Sequence, residues 1–262
     1  MALATVNGNS IYYEEFGAAD LPPLVLIHGL MGDASTVAPL AERLAPTFHV
    51  IAPDALGHGK SARPDGFTLV DQGTMVNRLI AELGHDSAAI AGISMGSYLA
   101  AQAAILEPSR SNRLILIVGK AHGKTSSSAA FAASKGVDLT TLAPEELMAF
   151  MSEAVWSPDT PQDRRDTLLQ NLNGEQVALT RDEQRAVERS LAGFDLRPDL
   201  AEITAPTLVV SGKSDGLNPP ASGAELAHGI PGSHFEVYEH SGHMLAFEEM
   251  DRLVDDVVAF AA

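Results

Sequence analysis

The chain has 262 residues, 45% of them apolar and 19% charged, and no cysteine. A chain of this length can bury a large core without staples, and disulfides, thiolate metal sites and cysteine nucleophiles are excluded. The formal net charge of −17 gives a surface that repels nucleic acid and anionic lipid, so the expected partner is a small molecule.

The plain meaning of that charge is solubility. A preference for neutral or cationic substrates would depend on the charge around the pocket. The first residues, MALATVNGNSIYYEEF, contain neither the basic nor the apolar segment of a secretory signal. The longest apolar runs, such as Ala88 to Ile93 and Leu114 to Val118, are too short to span a bilayer. The protein is expected to be soluble and cytoplasmic, with no membrane partner.

In chain order, Ile11 to Phe16 reads as a short mixed strand and Leu24 to Ile27 as an apolar one ended by His28-Gly29. Ala34 to Leu44 is an amphipathic helix. Val50 to Ala52 is a strand, Thr68 to Leu83 a helix, and Ser87 to Ala91 a strand leading into Gly92. Met95 to Leu106 is almost wholly apolar, as a helix buried against a sheet should be. Leu114 to Val118 is the next strand. From Gly119 to Ala205 no convincing strand follows. That stretch opens with GKAHGKTSSSAAFAASKG, whose composition reads as mobile. Helices are then expected over Pro144 to Val155, Pro161 to Asn171 and Thr180 to Leu191. Strands Thr207 to Val210 and Phe235 to Tyr238 and a closing helix, Met244 to Phe260, complete the chain.

The strand runs are apolar on both faces and end in turn residues, as in a sheet covered on both sides. Alternation with helices predicts an α/β fold, a mostly parallel central sheet with helices on both faces. The core is assigned to 1–119 and 206–262, and 120–205 to an inserted helical cap.

Gly92-Ile93-Ser94-Met95-Gly96 lies between a predicted strand and a predicted helix, the setting of a G-x-S-x-G nucleophile elbow. A serine hydroxyl needs a base, expected late in the chain after a carboxylate. Asp215 follows the strand Thr207 to Val210, and His243 follows Phe235 to Tyr238. Both lie past the C-terminal ends of strands, the edge of an open α/β sheet where ligands bind. Ser94, His243 and Asp215 are therefore the candidate catalytic residues. Asp65, Asp71 and Asp86 precede the serine, Gly119-Lys120 offers no carboxylate at a second acid position, and His240 competes with His243 but lacks its glycine neighbour. For an oxyanion hole, the backbone N–H of Met95 and that of Leu30, in His28-Gly29-Leu30-Met31-Gly32, are the candidate donors.

These segments, with Asp54-Ala55-Leu56-Gly57-His58-Gly59-Lys60-Ser61 and Gly242-His243, run in one order along nearly the whole chain and resemble the α/β-hydrolase superfamily. The resemblance implies loop-shaping roles for His28, Asp54 and His58. Serine at position 94 argues against haloalkane dehalogenases and epoxide hydrolases of this fold, which carry aspartate there. Many relatives have Gly-Gly where this chain has Gly96-Ser97, so the Ser97 hydroxyl needs a partner.

No metal or organic cofactor is implied. The Gly57-to-Ser61 segment lacks the first glycine of a P-loop, and no histidine spacing suggests zinc. The leading expectation is a carboxylesterase acting on small, largely apolar esters. Its pocket would draw on His28, Met31, His122 and Phe150, and on Trp156, Leu217 and Met244, with Phe131, Leu139, Leu142 and Met151 as further cap candidates. A lactonase or a C–C bond hydrolase is the alternative, the latter with Arg164, Arg165, Arg181, Arg185 or Arg189 binding an acidic substrate. A ligand receptor with slow turnover is the third.

Overall fold

Asn7 and Gly8 both take positive φ, 48° and 80°, the backbone of a two-residue hairpin turn that an Asn-Gly pair favours. The turn joins β1 (Ala2–Val6) to its antiparallel partner β2 (Asn9–Phe16). The single strand expected from Ile11 is thus the second arm of a hairpin. The computed structural model describes residues 2–172 and 176–262.

Beyond the hairpin the chain alternates through β3 (Pro23–Ile27), α1 (Ala34–Leu44), β4 (His49–Pro53), α2 (Leu69–Glu82), β5 (Ala88–Ile93), α3 (Met95–Leu106) and β6 (Ser111–Ile117). An excursion follows through α4 (Ser127–Lys135), α5 (Pro144–Val155), α6 (Gln162–Leu172) and α7 (Arg181–Ser190). The chain then returns with β7 (Thr207–Gly212), α8 (Pro220–Gly229), β8 (His234–Tyr238), α9 (Leu245–Glu248) and α10 (Met250–Ala261). The strands form one sheet in the order β1-β2-β4-β3-β5-β6-β7-β8. β2 pairs antiparallel with β1 and β4, and every other neighbouring pair is parallel.

The apolar runs divide by alternation. Val25, Ile27, Ile90, Leu114, Leu116 and Val209 pack on one face with Met75, Val76 and Leu79 of α2, Leu99 of α3 and Leu226 of α8. Leu24, Leu26, Ala89, Ala91, Ile115, Ile117 and Val210 pack on the other with Val37 and Leu40 of α1 and Leu253 and Val257 of α10. A strand period of two therefore feeds two cores. Hydrophobic burial on both faces fixes the register, since a one-residue slip would exchange them.

Two expectations change. The Gly/Ser/Ala-rich stretch after β6 is not loop throughout. Ser126 caps α4 by accepting the Ala129 N–H, and Gly136 ends it in a left-handed conformation. The closing helix is broken at Glu249, whose φ of −127° separates α9 from α10. Among the described residues of 120–205, an isolated bridge from His122 to Asp195 is the β-type pairing found. That interval also contains residues 173–175, which lie outside the described residues. Among the described residues, no helix is long and apolar enough to cross a membrane.

A polar knot after β4 braces the sheet edge. The buried Asp54 carboxylate accepts the N–H of Ala34, 2.7 Å, at the start of α1, and that of Lys60, 2.6 Å. Ser61 donates to the Asp54 carbonyl and accepts the Tyr12 N–H. His28 Nε2 accepts the Ala55 N–H at 3.0 Å, while Nδ1–H donates to the Gly29 carbonyl at 2.8 Å. The His58 ring lies edge-on to His28, with centroids 5.0 Å apart, and its Nδ1–H donates to the Leu56 carbonyl.

Burial lowers the pKa of His28 and takes His58 to about 3, so both rings are neutral in the fold. Unfolded histidine protonates near 6.5. The folded protein takes up that proton only at much lower pH, so stability is complete above the unfolded value and falls as pH drops below it. For His58 the loss between about pH 6.5 and pH 5 is on the order of 2 kcal/mol. Urea midpoints across this window should fall with pH in the wild type and less steeply in His58→Asn, whose amide can keep the bond to Leu56.

Candidate active site

Ser94 links β5 to α3 with φ 53° and ψ −114°, a conformation costing a non-glycine residue roughly 1–3 kcal/mol. The turn is so tight that a Cβ on Gly92 would strike the Gly96 carbonyl, and one on Gly96 the Ile27 carbonyl. Both positions therefore require glycine. The Ser94 N–H donates to the Ile117 carbonyl at 2.9 Å, and its own carbonyl accepts the Ser97 hydroxyl at 2.6 Å. The Ser97 hydroxyl thus has the partner that its burial demands, and it tightens the first turn of α3.

Three loops meet at this edge. His243 Nε2 lies 2.9 Å from Ser94 Oγ, and His243 Nδ1 lies 2.8 Å from Asp215 Oδ2. The Asp215 side chain is 0% exposed and that of His243 is 11% exposed. Asp215 Oδ1 accepts the N–H groups of Leu217 and Asn218, each at 2.8 Å, so the buried carboxylate is fully solvated by the protein. A carboxylate at Nδ1 puts the imidazole proton there and leaves Nε2 to accept from the serine. His240, the competing histidine, is exposed and pairs with Asp159 at 2.7 Å.

Leu30 is in a loop, 47% exposed, and its N–H donates to no acceptor among the described residues. Met95 is the first residue of α3, where N–H groups lack intrahelical acceptors. Met31 beside Leu30 has φ 61°, so this loop too departs from ordinary backbone. Both candidate donors are thus free to bond an oxyanion.

The predicted pocket residues scatter. His28 is corrected outright: it is 0% exposed, with both ring nitrogens committed to the backbone, so it shapes the loop and lines nothing. His122 lies 3.8 Å from Glu225, within a polar group that includes Arg197 and Asp195. Phe150 packs on Phe131, with ring centroids 4.9 Å apart. Trp156 and Phe131 line a cleft of 580 Å³ with Arg165 and Ser214, and none of Ser94, His243 and Asp215 borders it. Leu217 and Met244 flank the acid and the base and are anchored by backbone N–H bonds to Asp215 Oδ1 and the Val155 carbonyl.

Sequence reasoning missed the groups that hold these loops together. The end of α5 grips both: Gly216 N–H donates to the Ala154 carbonyl at 2.9 Å, and Met244 N–H to the Val155 carbonyl at 3.1 Å. Glu248, 4% exposed, adds a second bond between the same parts. One carboxylate oxygen accepts the Gly242 N–H at 2.6 Å. The other accepts the Ser157 N–H at 2.8 Å and the Thr160 hydroxyl at 2.6 Å. Its sequence setting, Phe247-Glu248-Glu249, is that of a solvated helix face and carries no signal of burial. Asn218 and Tyr98 were also missed. Asn218 donates its amide to the Tyr98 hydroxyl at 2.8 Å and to the carbonyl of Val118, itself at φ 46°, at 2.7 Å. Burial raises the Tyr98 phenol pKa, and the hydrogen bond from Asn218 partly offsets the rise.

Among the described residues, no group of three or more His, Asp or Glu is arranged to hold a metal ion. Glu248→Ala would leave three buried donors unpaired, at roughly 1–3 kcal/mol for each that water cannot reach. Its urea midpoint should fall by an amount equivalent to about 3 kcal/mol or more, whereas Glu249→Ala, one residue on and half-buried, should cost less.

The family model described as alpha/beta hydrolase fold matches residues 22–250. A pimeloyl-[acyl-carrier protein] methyl ester esterase of Aliivibrio salmonicida is 27% identical over 272 residues, covering 96% of this chain and 95% of the relative. A 3-oxoadipate enol-lactonase of Acinetobacter baylyi is 28% identical over 242 residues, covering 90% of this chain and 88% of the relative. Among solved structures, an enol-lactonase from Burkholderia xenovorans superposes with a TM-score of 0.82 at 26% identity, covering 99% of both chains. With the family model spanning most of its length and the sheet order and elbow in agreement, the chain belongs to the alpha/beta hydrolase fold family.

Proposed function

We propose that the protein is a serine hydrolase that cleaves small carboxylic esters or lactones through an acyl-enzyme on Ser94. The observation that carries this reading is the unbroken hydrogen-bonded chain from Ser94 Oγ through His243 to Asp215. His243 removes the serine proton as the hydroxyl attacks the substrate carbonyl. The N–H groups of Leu30 and Met95 hold the oxyanion, aided by the positive end of α3. His243 then protonates the leaving alcohol, and a water repeats the cycle on the acyl group. Asp215 fixes the imidazole tautomer and stabilises the imidazolium.

Lactones belong beside open-chain esters because the bond broken is the same, and two of the similar proteins carry the name enol-lactonase. Four of the five arginines that could serve the C–C hydrolase alternative are engaged within the protein. Arg164 donates to the Glu248 carbonyl, Arg165 to the carbonyls of Ser157 and Thr160, Arg189 to that of Asp65, and Arg185 pairs with Asp182.

The test is hydrolysis of a panel of esters and lactones by purified protein, with fluorophosphonate labelling mapped to its peptide. Ser94→Ala should lower kcat on the order of 10⁶-fold and abolish labelling. Asp215→Asn should lower kcat by about 10⁴-fold with little change in KM. Ligand-dependent thermal stabilisation with negligible turnover across the panel would favour a receptor instead.

A further inference from the structure

Lys120 follows β6 at the place where a second acid could stand, and it brings a cation there. Its ammonium donates to Ser127 Oγ at 2.9 Å and to the Thr125 carbonyl at 3.3 Å. The Ser127 hydroxyl donates a hydrogen bond to Asn218 Oδ1 at 2.9 Å. Asn218 in turn bonds the Tyr98 hydroxyl through its amide and Asp215 Oδ1 through its backbone N–H. Tyr98 lies one helical turn after Ser94 on α3. A short polar relay therefore joins the lysine to the surroundings of both the nucleophile and the acid.

Of the two lysines that enter no ion pair among the described residues, Lys60 is exposed and Lys120 is half-buried. The chain carries 34 acidic side chains against 17 Lys and Arg, yet among the described residues Lys120 enters no ion pair. Lys124 and Lys135, which follow it in the chain, pair with Asp195 and Glu153. Lys120 is half-buried, and burial lowers its pKa. An ammonium has three N–H donors, and two are engaged by neutral oxygens. Ser127 opens α4, so the positive end of that helix adjoins the same spot. A partly desolvated cation with one donor to spare, in a strongly acidic protein, is built to meet an anion that the protein itself does not supply.

We propose that Lys120 reads a free carboxylate on the substrate, so that the preferred substrates are monoanions: half-esters of dicarboxylic acids, or lactones bearing a carboxylate arm. This rests on the serine hydrolase reading above. It reverses the expectation that overall charge alone would raise, because an unpaired cation joined to the site through Ser127 and Asn218 outweighs distant acids screened by solvent.

The experiment compares monomethyl succinate, glutarate and adipate with their uncharged dimethyl esters, and with methyl 4-(trimethylammonio)butanoate as the cationic partner, by initial rates in a pH-stat. The wild type should favour at least one monoanion over its diester by about 10-fold or more in kcat/KM. Lys120→Met should lower that ratio by about 10- to 100-fold, chiefly through KM, and Lys120→Glu should shift preference toward the cationic ester. Lys120→Gln, which can still bond Ser127, should lose the preference too, which separates charge from loop structure. Calorimetry of monomethyl glutarate on Ser94→Ala protein reads binding without turnover, and this binding should be lost when Lys120→Met is added. A wild type indifferent to substrate charge, or a preference that survives both Lys120→Met and Lys120→Gln, overturns the proposal. Failure of every ester to turn over, with monoanion binding still dependent on Lys120, sinks the hydrolase reading and leaves the carboxylate site standing.

Discussion

The constraint on which the site depends is the backbone of one residue. Ser94 is held at φ 53°, where a side chain other than hydrogen is disfavoured, and the surrounding structure exists to keep it there. β5 delivers it from one side and α3 leaves on the other. The Ile117 carbonyl takes its N–H, and the Ser97 hydroxyl takes its carbonyl. Gly92 and Gly96 remove the two Cβ atoms that would forbid the turn. The return on this strain is geometric, because the hydroxyl projects above the sheet edge with the free N–H groups of a helix start behind it.

Parallel strands make the remaining assembly possible. β3, β5, β6, β7 and β8 run in one direction, so the loops that follow them open on a single rim. Chain segments remote in sequence become neighbours there without any dedicated connection. Each functional loop is then fixed by local chemistry: Asp215 by the two N–H groups that follow it, the His243 loop by Glu248 and α5, and the loop after β3 by His28 and Asp54. Most of these bonds use backbone atoms, so the side chains that meet remain available for chemistry.

Much of this was legible in the residue pattern. The apolar strands and the helices α1, α3 and α5 follow from burial on two faces and from periodicity, which local sequence reports directly. The Ser94, Asp215 and His243 positions were legible because each follows a strand at the same edge. β1 was missed although Asn7-Gly8 is a strong hairpin signal, because Ala2 to Val6 is too short and too exposed to stand out. The helix α4 was obscured by its serines, which favour loops by composition but cap and open a helix here. Glu248, Asn218 and Lys120 could not be found in advance. Glu248 and Asn218 have partners 88 to 91 residues away, and Lys120 bonds neutral oxygens instead of a counter-charge. Which side chain faces a cavity depends on how the helices of the excursion lie, and periodicity is blind to that.

The grip of α5 on the acid and base loops has a mechanical corollary. Its last carbonyls hold Gly216 and Met244, and Glu248 ties the following residues to Gly242. Moving that end of α5 as a rigid body would pull on the hydrogen bonds that join Ser94, His243 and Asp215. Any displacement of the end of α5 is therefore felt at once by the loops that carry residues 215 and 243.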